Sequence, residues 1–432
     1  MSADPRASGQ ETSAPESFWT ADAPRWPRYP ALDAEIRVDV AIVGGGFTGL
    51  ACGYYLRRLA PSLRVAVVEA HRLGSGASSR NSGLFGAYYT GWRRRLAGDP
   101  AGSETFKAIG RRGHARLLAF LDEEGIDCEV QPATTLLLAA APDVAALRDE
   151  ATAWDALGVP ARWLDAAALE AVGTRFYAGG IALADRYRLH PGKLVSGLVG
   201  AAARAGVLLL EDTPALGMSA ARPARIACPA GAITADRVVL ATNAYGSLLG
   251  DAAACLVPVH HAVVVTRPLT DQEVAAYGLA AYPARLEVGV RTHTMRLTRD
   301  RRVTMRETLG YGSGDPWRWP DLESAYAGTV AAYVARYPWV PGLALEGRWH
   351  CVTAHTDGSR PLFGPIEPGR IYASVGYNGS GVMACHYHGY LLACHLAGEA
   401  PDDYERLCTV GALRPVAGET RRRRFVEDGI GV

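Results

Sequence analysis

The chain has 432 residues, 49% of them hydrophobic and 21% charged, with a formal net charge of +1. This length exceeds one compact core, so two domains are expected, and the near-zero charge gives no electrostatic case for a nucleic acid or an anionic membrane as partner. No apolar run approaches the roughly 18 residues of a membrane span, and none of the eight cysteines forms a CxxC pair or stands with histidine at zinc-ligand spacing, so the expectation is a cytoplasmic protein with reduced thiols and no metal.

Residues 1–17 are small and polar and read as a disordered tail. A Trp- and Pro-rich stretch follows, from Phe18 through Trp19 and Trp26 to Pro30. It reads as an irregular arm, because proline blocks regular ladders while the rings seek burial. Residues 38–43 (VDVAIV) suit a strand buried on both faces, 50–59 suit a helix, and 65–68 (VAVV) suit a second buried strand ending at Glu69. Helices are expected over 103–124, 143–157, 191–205 and 322–337, and strand-like patterns over 134–139, 207–210 and 237–241. The runs 257–265, 286–290, 293–298 and 303–306 half-alternate, which indicates an antiparallel sheet. A last buried strand over 371–375 leads through GYNGSG into a helix over 382–396.

The strongest local signal is Gly44-x-Gly46-x-x-Gly49 between a strand and a helix, with Phe47 and Thr48 opening that helix. Gly44 permits a tight turn, Gly46 lets the backbone approach a diphosphate, and Gly49 allows close packing of helix on strand. The helix start offers free N–H groups and the positive end of its dipole. Glu69 ends the next strand, where a carboxylate accepts hydrogen bonds from ribose hydroxyls and disfavours a 2′-phosphate. FAD and NAD share this fingerprint. The following GSGASSRNSG, residues 74–83, separates them: its Gly, Ser and Asn density makes an anion-binding loop, and Arg80 and Asn81 can run along a longer cofactor.

VDVAIVGGGFTGL, VVEAHRLGSGASSRNSG, VVLATNAY and GYNGSGV together resemble the amine-oxidising branch of the D-amino-acid-oxidase-type FAD proteins, in particular those like γ-glutamylputrescine oxidoreductases. The resemblance runs from about Phe18 to Leu396. It implies a Rossmann-type α/β FAD-binding domain with an inserted antiparallel-sheet (α+β) substrate domain. The first would take 18–125, 186–250 and 355–432, the second 126–185 and 251–354. It also implies that Gly44, Gly46, Gly49 and Glu69 face the ADP half, and that Ala77, Ser78, Arg80, Asn81 and Gly83 pass the flavin ring and diphosphate. Thr242 and Asn243 would lie near ADP. Gly376, Tyr377, Asn378, Gly379, Ser380, Gly381 and Val382 would form the turn that opens a helix toward the flavin pyrimidine edge, with Asn378 and Ser380 in place of the family's usual Ser and His.

The implied reaction is FAD-dependent oxidation of a C–N bond of a small primary or secondary amine to an imine. Molecular oxygen is the expected acceptor, giving hydrogen peroxide, with an electron carrier as the alternative. An amino acid or aminophosphonate is the runner-up substrate, and a flavin hydroxylase, an NAD-linked dehydrogenase or a non-catalytic flavin protein are the rival readings. Substrate-pocket candidates are Tyr88, Tyr89, His260, His261, Arg296, Met305, Arg306 and His355. Cys351 stands near where some family members join a cysteine to the flavin. Met383 stands where sarcosine oxidases carry a substrate-binding lysine, which argues against an α-amino acid held in that way. The GDAA at 250–253 looks like the hydroxylase GD motif but leads at once into a strand, so it is read as a coincidence.

Overall fold

A strand buried on both faces must lie inside a covered sheet, and Glu35–Val43 does. The computed structural model describes residues 16–87, 100–156, 158–289, 292–312 and 319–428. Glu35–Val43 runs parallel to Val65–Val68 on one side and Gly231–Leu240 on the other. Leu208–Leu210 and Ile371–Val375 extend the parallel set outward. Leu362–Glu367, Ala224–Cys228 and Gly217–Met218 add antiparallel edges to this eight-stranded sheet. Successive side chains alternate between two cores. Val40, Ile42, Val65 and Val67 pack with the helices Phe47–Leu59, Pro191–Arg204 and Gly381–Leu396, while Ala41, Val43, Ala66 and Val68 pack into the opposite face.

The second eight-stranded sheet has the order Leu345–His355, Val257–Thr266, Val303–Tyr311, His293–Leu297, Ala284–Glu287, Thr135–Ala139, Gly179–Leu183 and Ala161–Asp165. It is antiparallel except where Ala284–Glu287 runs parallel to Thr135–Ala139. Leu84–Gly86, Arg186–Arg188 and Gln131–Pro132 form a third small sheet.

The arm is less irregular than its prolines suggest, since it opens with a short helix, Phe18–Asp22. Ser17 is buried and donates its hydroxyl to Ser79 O (2.6 Å), so it is not part of a disordered tail. The Trp19 ring meets His190, Trp349 and the Arg296 guanidinium. Further along, the fully buried Glu211 carboxylate accepts from Tyr29 N, Leu73 N and Arg72, pinning arm and sheet together.

One buried ionic cluster lies at the rim of the second sheet. Glu287 accepts two bonds from Arg336 (2.5 and 2.8 Å) and one from the Tyr177 hydroxyl (3.0 Å). His293 stands 3.1 Å from Glu287 and 3.6 Å from Glu307. Burial opposes charge on Glu287, but His293 and Arg336 outweigh it and hold the carboxyl at about 2. Burial likewise opposes charge on His293, and the two glutamates outweigh it, so its pKa is raised. The raised histidine stabilises the fold below its unfolded value of about 6.5, and that contribution is lost as pH rises through the folded value. The depressed glutamate stabilises above about 4.5, and its contribution is lost as pH falls toward the folded value. Glu287→Gln is therefore expected to lower unfolding free energy by about 3 kcal/mol in denaturant melts near pH 5.5, with a smaller difference at both extremes of pH. An unchanged midpoint would show the cluster to be energetically neutral.

Candidate active site

A cavity of about 860 Å³ lies between the two large sheets and reaches from the Gly44 turn to the strand Leu345–His355. Its floor is backbone at one end. Gly44 has φ +109°, and a Cβ there would stand 2.6 Å from Ala241 O. A Cβ on Gly46 would meet the Ser78 hydroxyl at 2.8 Å. Gly49 does not line the cavity; a Cβ there would lie 1.9 Å from Gly44 O, so its task is to let the helix Phe47–Leu59 sit on the turn. Gly46 is the N-cap of that helix and has no side chain to offer its N–H groups, though Ser78 Oγ accepts from Phe47 N (2.9 Å). Glu69 accepts from Gly45 N (2.9 Å) and His71 N (3.2 Å), and burial raises its pKa despite those bonds.

The 74–83 loop is held by its own side chains. Asn81 donates to Ala77 O and Ser78 O and accepts from Gly83 N. Arg80 donates to Ser75 O and to His350 O, fastening the loop to the second sheet. Ala77, Ser78, Arg80, Asn81 and Gly83 all line the cavity. Thr242 and Asn243 line it too, and the buried Thr242 Oγ1 has no partner among the described residues. On the far side, Tyr377, Asn378, Gly379, Ser380, Gly381 and Val382 line the wall where the helix Gly381–Leu396 begins. Asn378 adopts φ +53°, and its side chain accepts from Thr356 N and donates to Gly376 O, so it locks the turn. Gly376 supports that turn from outside the cavity wall.

The substrate-pocket candidates divide by strand pleat. His261, Arg306, Cys351 and His355 line the cavity, as does Met383. The chain neighbours His260 and Met305 point the other way. His260 stacks on His350, with Nδ1 2.8 Å from His350 Nε2, and Met305 is fully buried in the core of the second sheet. Neither reaches the cavity. Arg296 does not line it either; it donates to Ser82 O (2.5 Å) and lies over the Trp19 ring, so it props the loop and the arm. Tyr88 and Tyr89 lie outside the described residues. The GDAA residues fall in the helical stretch Ser247–Cys255 that leads into the strand Val257–Thr266, as expected of a coincidental motif.

Sequence reasoning missed the surroundings of Arg306. Its guanidinium donates to His261 Nδ1 (2.8 Å), Thr308 Oγ1 (3.1 Å), Thr292 Oγ1 (3.2 Å) and Thr294 Oγ1 (2.7 Å). All four acceptors are neutral, and among the described residues no carboxylate lies within ion-pair distance. The available signal was the period-two spacing of Thr292 with Thr294 and of Arg306 with Thr308 on paired strands. Arg306 can only donate, so His261 Nδ1 accepts and its Nε2–H donates to Thr353 Oγ1 (2.8 Å). Burial, reinforced by Arg306, keeps His261 and His355 neutral, His355 down at about 3. Burial also pushes the Cys351 thiol up to about 11, against the pull of Arg80 and Arg306.

The glycine floor, the unpartnered Thr242 hydroxyl and two helix starts on one elongated cavity suit a dinucleotide with a long ring system. Among the described residues no helix is long and apolar enough to cross a membrane. The chain is 29% identical over 402 residues to a probable oxidoreductase OrdL of Rhizobium meliloti, covering 87% of each. It is 27% identical over 399 residues to γ-glutamylputrescine oxidoreductase of Escherichia coli, covering 90% of each. The fold matches crystalline glycine oxidase from Geobacillus kaustophilus with a TM-score of 0.71 at 23% identity, over 84% of this chain and 96% of that one. The model of the FAD-dependent oxidoreductase family matches residues 39–395, and the chain belongs to that family.

Proposed function

We propose that this enzyme oxidises the C–N bond of a small amine that also carries an anionic group, either an amino acid or an amine bearing the anion further along its chain. The observation that carries this reading is Arg306, a half-buried cation on the cavity wall whose hydrogen bonds go only to neutral acceptors. A half-buried charge without a counter-ion is unfavourable, and an anionic substrate supplies one. The relatives' names support the class: one acts on γ-glutamylputrescine, and others are glycine oxidase and iminodiacetate oxidase.

In this reading the backbone at Gly44 and Gly46 and the start of the helix Phe47–Leu59 hold the diphosphate, Glu69 the ribose, and Thr242 the ADP half. The amino end of the helix Gly381–Leu396, which lines the cavity, would hold the ring, where its dipole would favour negative charge. The chemistry that FAD brings when bound is acceptance of a hydride from the carbon beside nitrogen. The protein's residues orient the substrate and select its protonation state: the Arg306 charge disfavours an ammonium and favours the reactive free amine. Water then converts the imine product to a carbonyl compound, and molecular oxygen is the final acceptor.

Oxygen uptake tests the reading. Amines bearing a carboxylate, such as glycine, sarcosine or γ-glutamylputrescine, are expected to be consumed with peroxide formed, and putrescine itself far more slowly. Equal rates with putrescine would overturn the role given to the anion. The protonated Cys351 thiol also argues for a non-covalent cofactor. Acid precipitation is expected to leave the yellow colour in the supernatant; colour retained in the pellet would establish a covalent link.

A further inference from the structure

The strand Leu345–His355 places Cys351, Thr353 and His355 on one face by its period of two, and all three line the cavity. The hydrogen bonds there run in a fixed direction. Arg306 donates to His261 Nδ1, and His261 Nε2–H donates to Thr353 Oγ1. Thr353 has one hydroxyl hydrogen, and His355 Nε2 stands 3.1 Å away to accept it. That leaves the proton of neutral His355 on Nδ1. This atom is buried without a partner among the described residues, in a residue only 6% exposed. A buried donor with no acceptor among the described residues calls for one from a ligand.

We propose that Arg306, His261, Thr353 and His355 form a polarised relay whose end, His355 Nδ1–H, is a fixed hydrogen-bond donor to an oxygen of the substrate's anionic group. The proposal rests on the anionic-substrate reading above. Arg306 provides the field, and His355 provides the direction. His261 and Thr353 are positioning residues: they set which nitrogen of His355 carries the proton. A carboxylate amine is thereby distinguished from its amide, because the relay presents a donor where an amide could offer its own N–H.

The test uses the FAD-loaded enzyme and propionate as probe, with propionamide as the neutral control, read by the change in the flavin visible spectrum. Propionate is expected to bind wild type and propionamide not. His355→Leu is expected to weaken propionate by about tenfold, the worth of one hydrogen bond to a charged group. His355→Asn, whose amide keeps a donor near the Nδ1 position, is expected to stay near wild type. Thr353→Val is expected to weaken binding and Thr353→Ser to restore it. Nitrogen NMR of histidine-labelled enzyme is expected to show His355 with its proton on Nδ1 in wild type and Thr353→Ser, and a mixture in Thr353→Val. If propionate binds wild type and His355→Leu equally, or if His355 carries its proton on Nε2, the relay is overturned while the anion reading stands. If propionate fails to bind wild type and carboxylate-free amines are turned over well, the anion reading falls and the relay falls with it.

Discussion

Gly46→Asp is expected to give a folded protein without yellow colour. Aspartate is a good helix N-cap, so the helix Phe47–Leu59 should gain a cap rather than lose stability. A Cβ at this position meets only the Ser78 hydroxyl, the end of a small side chain that can turn aside. The new carboxylate, however, would occupy the positive end of the helix dipole and face the two negative charges of the diphosphate. Losing that attraction and adding like-charge repulsion should raise the FAD dissociation constant by roughly a thousandfold, about 4 kcal/mol. Fluorescence titration of the apoprotein with FAD measures this, and a thermal melt of the same sample shows whether the fold is intact. Wild-type affinity in a folded Gly46→Asp protein would place the diphosphate elsewhere.

Arg306→Met should separate the two kinds of substrate. The thioether side chain is of similar length, and because the guanidinium bonds only to neutral acceptors its removal leaves no opposite charge unpaired. What it removes is the positive charge on the cavity wall and the donor to His261. For a carboxylate-bearing amine, kcat/KM is expected to fall by roughly a hundredfold or more, as when one partner of a desolvated charge pair is deleted. For an amine without an anionic group it should change little, because that substrate makes no ion pair with the guanidinium. Steady-state oxygen uptake on both substrates checks this, and a parallel fall on both would make Arg306 a structural residue.

The glycine-lined half of the candidate site was legible because backbone carries it. A diphosphate cradle needs glycines at fixed spacing between a buried strand and a helix, and residues 38–69 show strand, glycines, helix, strand and Glu69 in line. The segment 371–375 was equally clear, since all five of its residues are buried in the parallel sheet. The substrate half was harder to read. Leu345–His355 carries the cavity wall, yet Gly347 and Arg348 break its hydrophobic pattern, and its partner is the distant strand Val257–Thr266. Choosing His261 over His260, or Arg306 over Met305, needs the absolute register of the pleat, which tertiary pairing sets. A bulge between His260 and His261 hides it further. Arg80 and Asn81 illustrate a different limit. Their types suggested cofactor contact and both line the cavity, but the hydrogen bonds that shape the loop, to Ser75 O, His350 O, Ala77 O and from Gly83 N, have no sequence signature.

The most direct trial of the whole account is anaerobic mixing of the purified yellow enzyme with a carboxylate-bearing amine in one cell and with NADH or NADPH in another. The flavin is expected to bleach with the amine, with a carbonyl product appearing in equal amount, and to stay oxidised with either pyridine nucleotide. Bleaching by a pyridine nucleotide and by no amine would contradict it.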